Sequence, residues 1–140
     1  MVWDEVDLSA RLWVIPAERM KAGREHRIPL SDAAVALLRQ QEQVLLAGVN
    51  LVFPSVRDHK PLSDMTLTAV LRRMQRNDLT VHGFRSTFRD WAAEATDYPQ
   101  EMAEMALAHV VSNKVEAAYR RGDMLEKRRE MMQKWAEFIL

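Results

Sequence analysis

The sequence contains no cysteine, no long apolar run and no surplus of charge of either sign. Without cysteine the chain has neither disulfides nor thiolate metal sites, which fits a reducing compartment such as the cytoplasm. No apolar stretch approaches the roughly 18 residues that a membrane span needs, and no N-terminal targeting pattern is visible. With 140 residues, 48% of them hydrophobic, we expect one soluble domain over 1–140.

The missing surplus of positive charge bears on possible partners. The 20 Lys and Arg residues are balanced by 20 Asp and Glu residues, whereas proteins that bind a phosphate polymer usually carry more of the former. The distribution is uneven, because residues 11–30 and 71–90 each contain five basic and two acidic residues, a net charge of +3. Residues 91–111 contain four acidic residues and no Lys or Arg. We therefore expect a basic face and an acidic back.

Two β-rich runs, at residues 11–15 and 26–30, flank the turn sequence Ala22-Gly23-Arg24-Glu25 and predict an antiparallel hairpin. Residues 2–3 and 6–8 offer a further strand. From Ser31 the pattern becomes helical, with Ser31-Asp32 as the cap of a helix that extends to Gly48. The other predicted helices begin at Ser63-Asp64, near Phe84, at Pro99, at Ser112 and at Met124.

Arg85 is the first residue that suggests chemistry. It falls in the first turn of a predicted helix, where the positive end of the macrodipole disfavours a cation by about 0.3–1 kcal/mol. The free N–H groups of that helix end and the planar guanidinium would together suit a phosphate, and His82 can aim at the same anion. A solvated surface arginine is an equally good interpretation of this feature taken alone.

His109 and Tyr119 follow in the helical half. A histidine at a helix end is favourable for dipole reasons alone, and a tyrosine at helical spacing from Val115 is usually a core residue. A phenol with its ordinary pKa near 10 is a poor nucleophile at neutral pH, so Tyr119 would need cationic neighbours to react. The candidates for these cationic neighbours are Arg85, His109 and Lys21.

Lys21 precedes the hairpin turn, where a lysine is most often solvated surface. On a mobile hairpin its ammonium could instead protonate a leaving oxygen. His26 and His59 are interpreted as structural or surface residues. The four histidines lack HxxxH or HExxH spacing, so no metal site is predicted.

Taken together, five segments in this order closely resemble the catalytic domain of prophage and genomic-island integrases of the tyrosine recombinase family. They are residues 15–21, 26–31, 82–91, 107–109 and 116–121. The resemblance implies an α+β fold that is mainly helical over 31–140, with a small antiparallel sheet in 1–30. It also implies double-stranded DNA at attachment sites as the substrate, with no metal and no cofactor.

The resemblance further implies a role for each candidate residue. Tyr119 is the nucleophile that forms a 3′-phosphotyrosyl bond, and Lys21 is the general acid for the 5′-hydroxyl. Arg85 stabilises the phosphorane, while His82 and His109 bind the phosphate and handle protons. We therefore expect all five side chains to converge on one basic cleft.

The sequence departs from the family pattern at its beginning. The family's first catalytic arginine and its core-binding domain have no counterpart here, and Arg11 and Arg19 do not match the context of that arginine. We accordingly expect a C-terminal fragment that cleaves DNA weakly or not at all. Two rival functions remain, a type IB topoisomerase-like activity and a noncatalytic DNA-binding or dimerisation module.

The last predicted helix carries an apolar seam of Met124, Met131, Trp135 and Phe138, with Arg128 at its edge. A helix this short is marginal in water unless the seam is buried. The resemblance implies that this helix contacts a neighbouring recombinase protomer. Docking onto its own domain is the alternative.

Overall fold

A computed structural model describes residues 1–45, 47–109 and 122–140. Its N-terminal part contains a three-stranded antiparallel sheet in the order β1-β2-β3, with β1 at Val6–Asp7, β2 at Leu12–Ile15 and β3 at His26–Pro29. Trp13 of the central strand pairs with Val6 on one side and Ile28 on the other. The predicted hairpin is thus confirmed. Gly23 in its turn has a φ of +60°, a conformation that glycine adopts without a Cβ penalty.

Five α-helices lie in the described ranges, and the α+β class is confirmed. They are α1 at Asp32–Glu42, α2 at Thr66–Arg73, α3 at Gly83–Glu94, α4 at Gln100–Ala106 and α5 at Leu125–Ile139. None of these helices combines the length and the hydrophobicity needed to cross a bilayer. The helix predicted from Ser112 falls on residues outside the described ranges.

Helix α1 begins as predicted but ends early. The Ser31 hydroxyl accepts a hydrogen bond of 3.3 Å from the Ala34 N–H, which satisfies one free donor of the first turn. The prediction of a helix to Gly48 is wrong, because the helix ends at Glu42. The N–H groups of Val44 and Leu45 then bond the carbonyls three residues earlier, at residues 41 and 42, as in a 3₁₀ turn. Leu45 is 54% exposed and so contributes little burial to hold a longer helix.

Helix α2 also differs from its predicted form. Ser63 accepts hydrogen bonds from the Met65 and Thr66 N–H groups, but the helix itself starts only at Thr66. Of its predicted apolar stripe, Leu71 is buried, whereas Leu67 and Met74 are more than half exposed. The periodicity therefore located the helix correctly without showing how much of it is covered.

One core lies between the sheet and α1. Its buried members are Leu30, Val35, Leu38 and Val52, and the side chains of Trp3 and Trp13 pack against them. The start of the chain joins this core through a bridge between Val2 and Leu51. The hairpin is thereby held at its base while its turn stays exposed.

A second core forms where α3, α4 and α5 meet, with buried residues Phe88, Trp91, Ala92, Met102, Ala103 and Met131. Trp135 of α5 packs edge-on to Phe88, with ring centroids 5.3 Å apart, and lies 5.1 Å from Trp91. Helix α5 therefore docks onto its own chain, which is the alternative left open by the sequence. The prediction that Arg128 lies at the edge of the seam is wrong, since this residue is only 1% exposed.

Candidate active site

Arg85 and His109 lie together although 24 positions separate them. Nη2 of Arg85 donates a 2.7 Å hydrogen bond to the Leu107 carbonyl and lies 2.7 Å from Nε2 of His109. Arg85 stands in the first turn of α3, and Leu107 and His109 follow directly after α4. The structure thus joins the beginning of one helix to the end of the next.

The turn after α4 brings His109 back toward its own helix. Ala108 has a left-handed φ of +55°, and its N–H donates to the Met105 carbonyl at 3.1 Å. The N–H of His109 donates to the Glu104 carbonyl at 2.9 Å. These two bonds form a Schellman motif, in which glycine is the usual residue at the left-handed position. Here an alanine occupies it.

Glu104 links His109 to a second arginine. One carboxylate oxygen bonds Nδ1 of His109, and the other lies 2.9 Å from Nη2 of Arg89. Together Arg85, His109, Glu104 and Arg89 form what we call the Glu104 network. The acidic-back interpretation is wrong for Glu104, because the fold turns its carboxylate toward Arg89 and His109 of the candidate site.

The N-terminus of α3 differs from the expected anion site in one respect. The N–H of Gly83 already bonds the carbonyl and hydroxyl of Thr80, each at 3.0 Å, and the N–H of Arg85 bonds the His82 carbonyl at 3.1 Å. His82 occupies the position before the helix, with an exposed side chain that makes no capping hydrogen bond. Donors for an anion must therefore come mainly from side chains.

One predicted site residue, Lys21, is not bonded to this pair in the described ranges. Lys21 is exposed on the hairpin connection, and no hydrogen bond or ion pair found in the described ranges links it to Arg85 or His109. Tyr119 lies outside the described residues. The convergence of all five side chains on one cleft therefore stays a prediction.

His26, interpreted from sequence as a structural or surface residue, lies at the start of β3 close to the site. Burial lowers the pKa of its imidazole, and the nearby charges of Arg128 and Arg85 lower it further. A hydrogen bond to the Ala106 backbone opposes these effects on the pKa. The neutral ring is thus favoured at a point where β3 meets the end of α4.

A second group of charges fixes the beginning of α5. Arg27 binds the Asp123 carboxylate through Nε at 2.9 Å and Nη2 at 2.7 Å. Buried Arg128 donates to the same carboxylate at 3.0 Å and to the Asp123 carbonyl at 2.8 Å. We call these three residues the Asp123 network. Partial burial raises the pKa of Asp123, but the hydrogen bonds from Arg27 and the charge of Arg128 outweigh it, and the net pKa is lowered.

Across the described part of the chain, no group of three or more His, Asp or Glu side chains is arranged to hold a metal ion. The chemistry available at the site comes from arginine, imidazole and carboxylate groups.

Residues 1–126 match the phage integrase family. The chain is 42% identical over 139 residues to prophage integrase IntA of Escherichia coli K12, covering 98% of this chain and 33% of that protein. It is 35% identical to the integrase of Enterobacteria phage P4, covering 98% and 35%, and 32% identical to that of Shigella phage Sf6, covering 99% and 36%. No solved structure gives a significant match. The chain spans about a third of the length of these relatives, and it belongs to the phage integrase family.

Proposed function

We propose that this chain carries out the strand cleavage and rejoining steps of site-specific DNA recombination. Family membership supports recombination in general, and the contact between Arg85 and His109 is the observation that carries the assignment to this site. Two groups that suit a phosphodiester meet at the start of α3. They lie beside a hairpin whose exposed turn carries Lys21.

The donors of Arg85 that bond no residue in the described ranges support a phosphate as the ligand. Its Nη2 is occupied by Leu107 and His109, while its Nε and Nη1 form no hydrogen bond with any residue in the described ranges. A guanidinium with donors remaining can bind the equatorial oxygens of a phosphorane, whose negative charge grows as the nucleophile attacks. This placement stabilises the transition state more than the ground state.

In the proposed reaction the Tyr119 oxygen attacks the scissile phosphorus and forms a 3′-phosphotyrosyl ester. The bond to the 5′-oxygen breaks, and Lys21 gives that oxygen a proton. Attack by a 5′-hydroxyl from a second strand reverses the step, so the ester energy is kept. The phenolic proton of Tyr119 passes to one of the two histidines, His109 or His82, which also bind the phosphate, and it returns to Tyr119 when the step is reversed. No metal or cofactor takes part in these steps.

The partners proposed are double-stranded attachment-site DNA and neighbouring recombinase protomers, with the reaction taking place in the cytoplasm. Because Met131 and Trp135 are covered within the chain, contact with another protomer would use the exposed end of α5 at Phe138, Ile139 and Leu140. The isolated chain should cleave DNA weakly, because residues 1–140 contain no counterpart of the family's first catalytic arginine. The loss of one such charge donor commonly lowers a rate by about 10²–10³.

The test uses a nicked suicide substrate that traps the covalent complex. Two proteins are compared: the chain alone, and a chimera in which it replaces the matching third of IntA, here called the IntA chimera. We expect an adduct on the DNA 3′ end, mapped by mass spectrometry to Tyr119 and abolished by Tyr119→Phe. DNA binding without an adduct in both proteins would instead favour a noncatalytic module. Relaxation of supercoiled plasmid without recombinant product would favour a topoisomerase.

A further inference from the structure

Glu104 contacts His109 in two ways, through its side chain and through its backbone. The carboxylate bonds Nδ1 of the imidazole, and the carbonyl accepts the His109 N–H at 2.9 Å. Rotation of the His109 side chain would break the first bond, and unwinding of the turn at Ala108 would break the second. Glu104 thus fixes both the position and the orientation of the imidazole ring.

The carboxylate also decides which ring nitrogen carries the proton. A carboxylate only accepts hydrogen bonds, so Nδ1 must be the donor of the pair and Nε2 of the neutral ring keeps its lone pair. That lone pair faces Nη2 of Arg85 at 2.7 Å, a geometry that needs an acceptor on the histidine. The opposite tautomer would set two N–H donors against each other.

Arg89 completes the arrangement. It lies one helical turn after Arg85 on α3, and like charges at this spacing repel. One carboxylate oxygen of Glu104 bonds Arg89 and the other bonds His109. Glu104 thus places a negative charge beside the two arginines of α3.

We propose that Glu104 is a positioning residue for the cleavage reaction: it sets the Nδ1–H tautomer of His109 and directs Nε2 toward Arg85, which is proposed to bind the reacting phosphate. The proposal rests on the function proposed above. It assigns Glu104 no direct contact with DNA. A purely structural role, in which Glu104 only links α3 to α4 through Arg89, is the competing explanation.

The first test is independent of activity. Long-range ¹H–¹⁵N NMR spectra of the full chain, with His109 assigned from His109→Gln, report the neutral tautomer directly. We expect the Nδ1–H form in the native chain and a shift toward the Nε2–H form in Glu104→Gln. A dominant Nε2–H form in the native chain, or an unchanged tautomer in Glu104→Gln, would overturn the proposal.

The second test measures single-turnover cleavage by the IntA chimera. Glu104→Gln should reduce the rate by about 10- to 100-fold, as losing a group that orients a functional histidine commonly does. The matched control is Glu94→Gln, which removes an exposed carboxylate from α3 and should leave the rate unchanged. An unchanged rate in Glu104→Gln, with the adduct still on Tyr119, would refute the positioning role alone. Loss of the adduct from the unmodified chimera would refute the proposed function instead.

Discussion

The two charge networks have similar composition but differ in one buried arginine. The side chains of Arg27 and Asp123 are 41% and 34% exposed, much like those of the Glu104 network. In the Asp123 network one carboxylate binds two arginines, and the side chain of Arg128 is only 2% exposed. In the Glu104 network one carboxylate binds an arginine and a histidine, and the side chains of Arg89 and His109 are 43% and 38% exposed. The first network joins β3 to α5, and the second joins α3 to the end of α4.

This difference separates charges that hold the fold from charges that can meet a ligand. Arg128 is buried, and its bonds go to the carboxylate and carbonyl of Asp123, so removing that partner leaves a desolvated charge. Arg85 keeps donors on Nε and Nη1 that bind no described residue, so an anion can occupy them. Burial of the arginine, rather than the presence of an ion pair, therefore distinguishes a structural link from a candidate site.

The largest expected effect on stability follows from removing the Asp123 charge. Asp123→Asn leaves Arg128 buried without a negative partner, which should lower the free energy of unfolding by about 3 kcal/mol in urea titrations. The control is Asp58→Asn, because the exposed bridge of Asp58 to Lys60 spans 3.9 Å and should contribute less than about 0.5 kcal/mol. Equal effects of the two substitutions would show that the Asp123 network is not structural.

The same substitution has a predicted pH dependence. The pKa of Asp123 lies below its ordinary 3.8, so its contribution is complete above that pH and is lost as the pH falls through the lowered pKa. The stability difference between the native chain and Asp123→Asn should therefore shrink only in acid. A difference that shrinks already near neutral pH would contradict this assignment.

Aromatic packing of α5 should contribute a somewhat smaller amount. Trp135→Ala removes the contacts with Phe88 and Trp91 and should lower the free energy of unfolding by about 2 kcal/mol, less than for a fully buried tryptophan. Phe138→Ala, at a side chain that is 60% exposed, should have a much smaller effect. If Trp135→Ala changed only a dimer mass measured by light scattering, the helix would dock on a second protomer.

His26 should make stability depend on pH in a milder range. Its pKa is lowered from 6.5, so the folded chain binds this proton less readily than the unfolded chain does. The free energy of unfolding should therefore fall as the pH decreases below about 6.5, and His26→Gln should make that slope shallower. Identical slopes for the two proteins would contradict the partial burial of His26 against the end of α4.

The smallest expected effect is a gain. Ala108→Gly relieves the left-handed backbone conformation after α4 and should raise the free energy of unfolding by about 0.5–1 kcal/mol. Ala69→Gly, in the exposed interior of α2, should lower it by about 1 kcal/mol. A loss of stability in both variants would show that Ala108 is not held in the left-handed conformation.

Local patterns predicted the local structure well. The hairpin and the Ser31 cap both depend on neighbouring residues, and both are confirmed. Arg128 was wrongly predicted to lie at the edge of the α5 seam. Its partner Asp123 also binds Arg27, which lies 96 positions before Asp123 in the sequence. A periodic pattern gives the face of a helix but not its distant partners.

The site was predicted in part for the same reason. The order of motifs identified Arg85 and His109, which the fold brings together, but it did not identify Glu104. Counting charges along the sequence placed Glu104 among acidic residues, whereas the turn at Ala108 brings it to His109. The spacing of an acidic residue five positions before the histidine is a signal that could have found it. The structure shows that Arg85 and His109 are in contact, and all five residues, Lys21, His82, Arg85, His109 and Tyr119, stay predictions as catalytic residues.

The most direct test of the central claim compares half-buried Arg85 with buried Arg128 in the IntA chimera. Arg85→Gln should lower single-turnover cleavage by about 10²–10³ while the free energy of unfolding changes by less than about 1 kcal/mol. Arg128→Gln should do the reverse and mainly destabilise the fold. If Arg85→Gln cleaved at the native rate, or if its loss of cleavage only followed unfolding, the Glu104 network would be a structural link and not the reaction site.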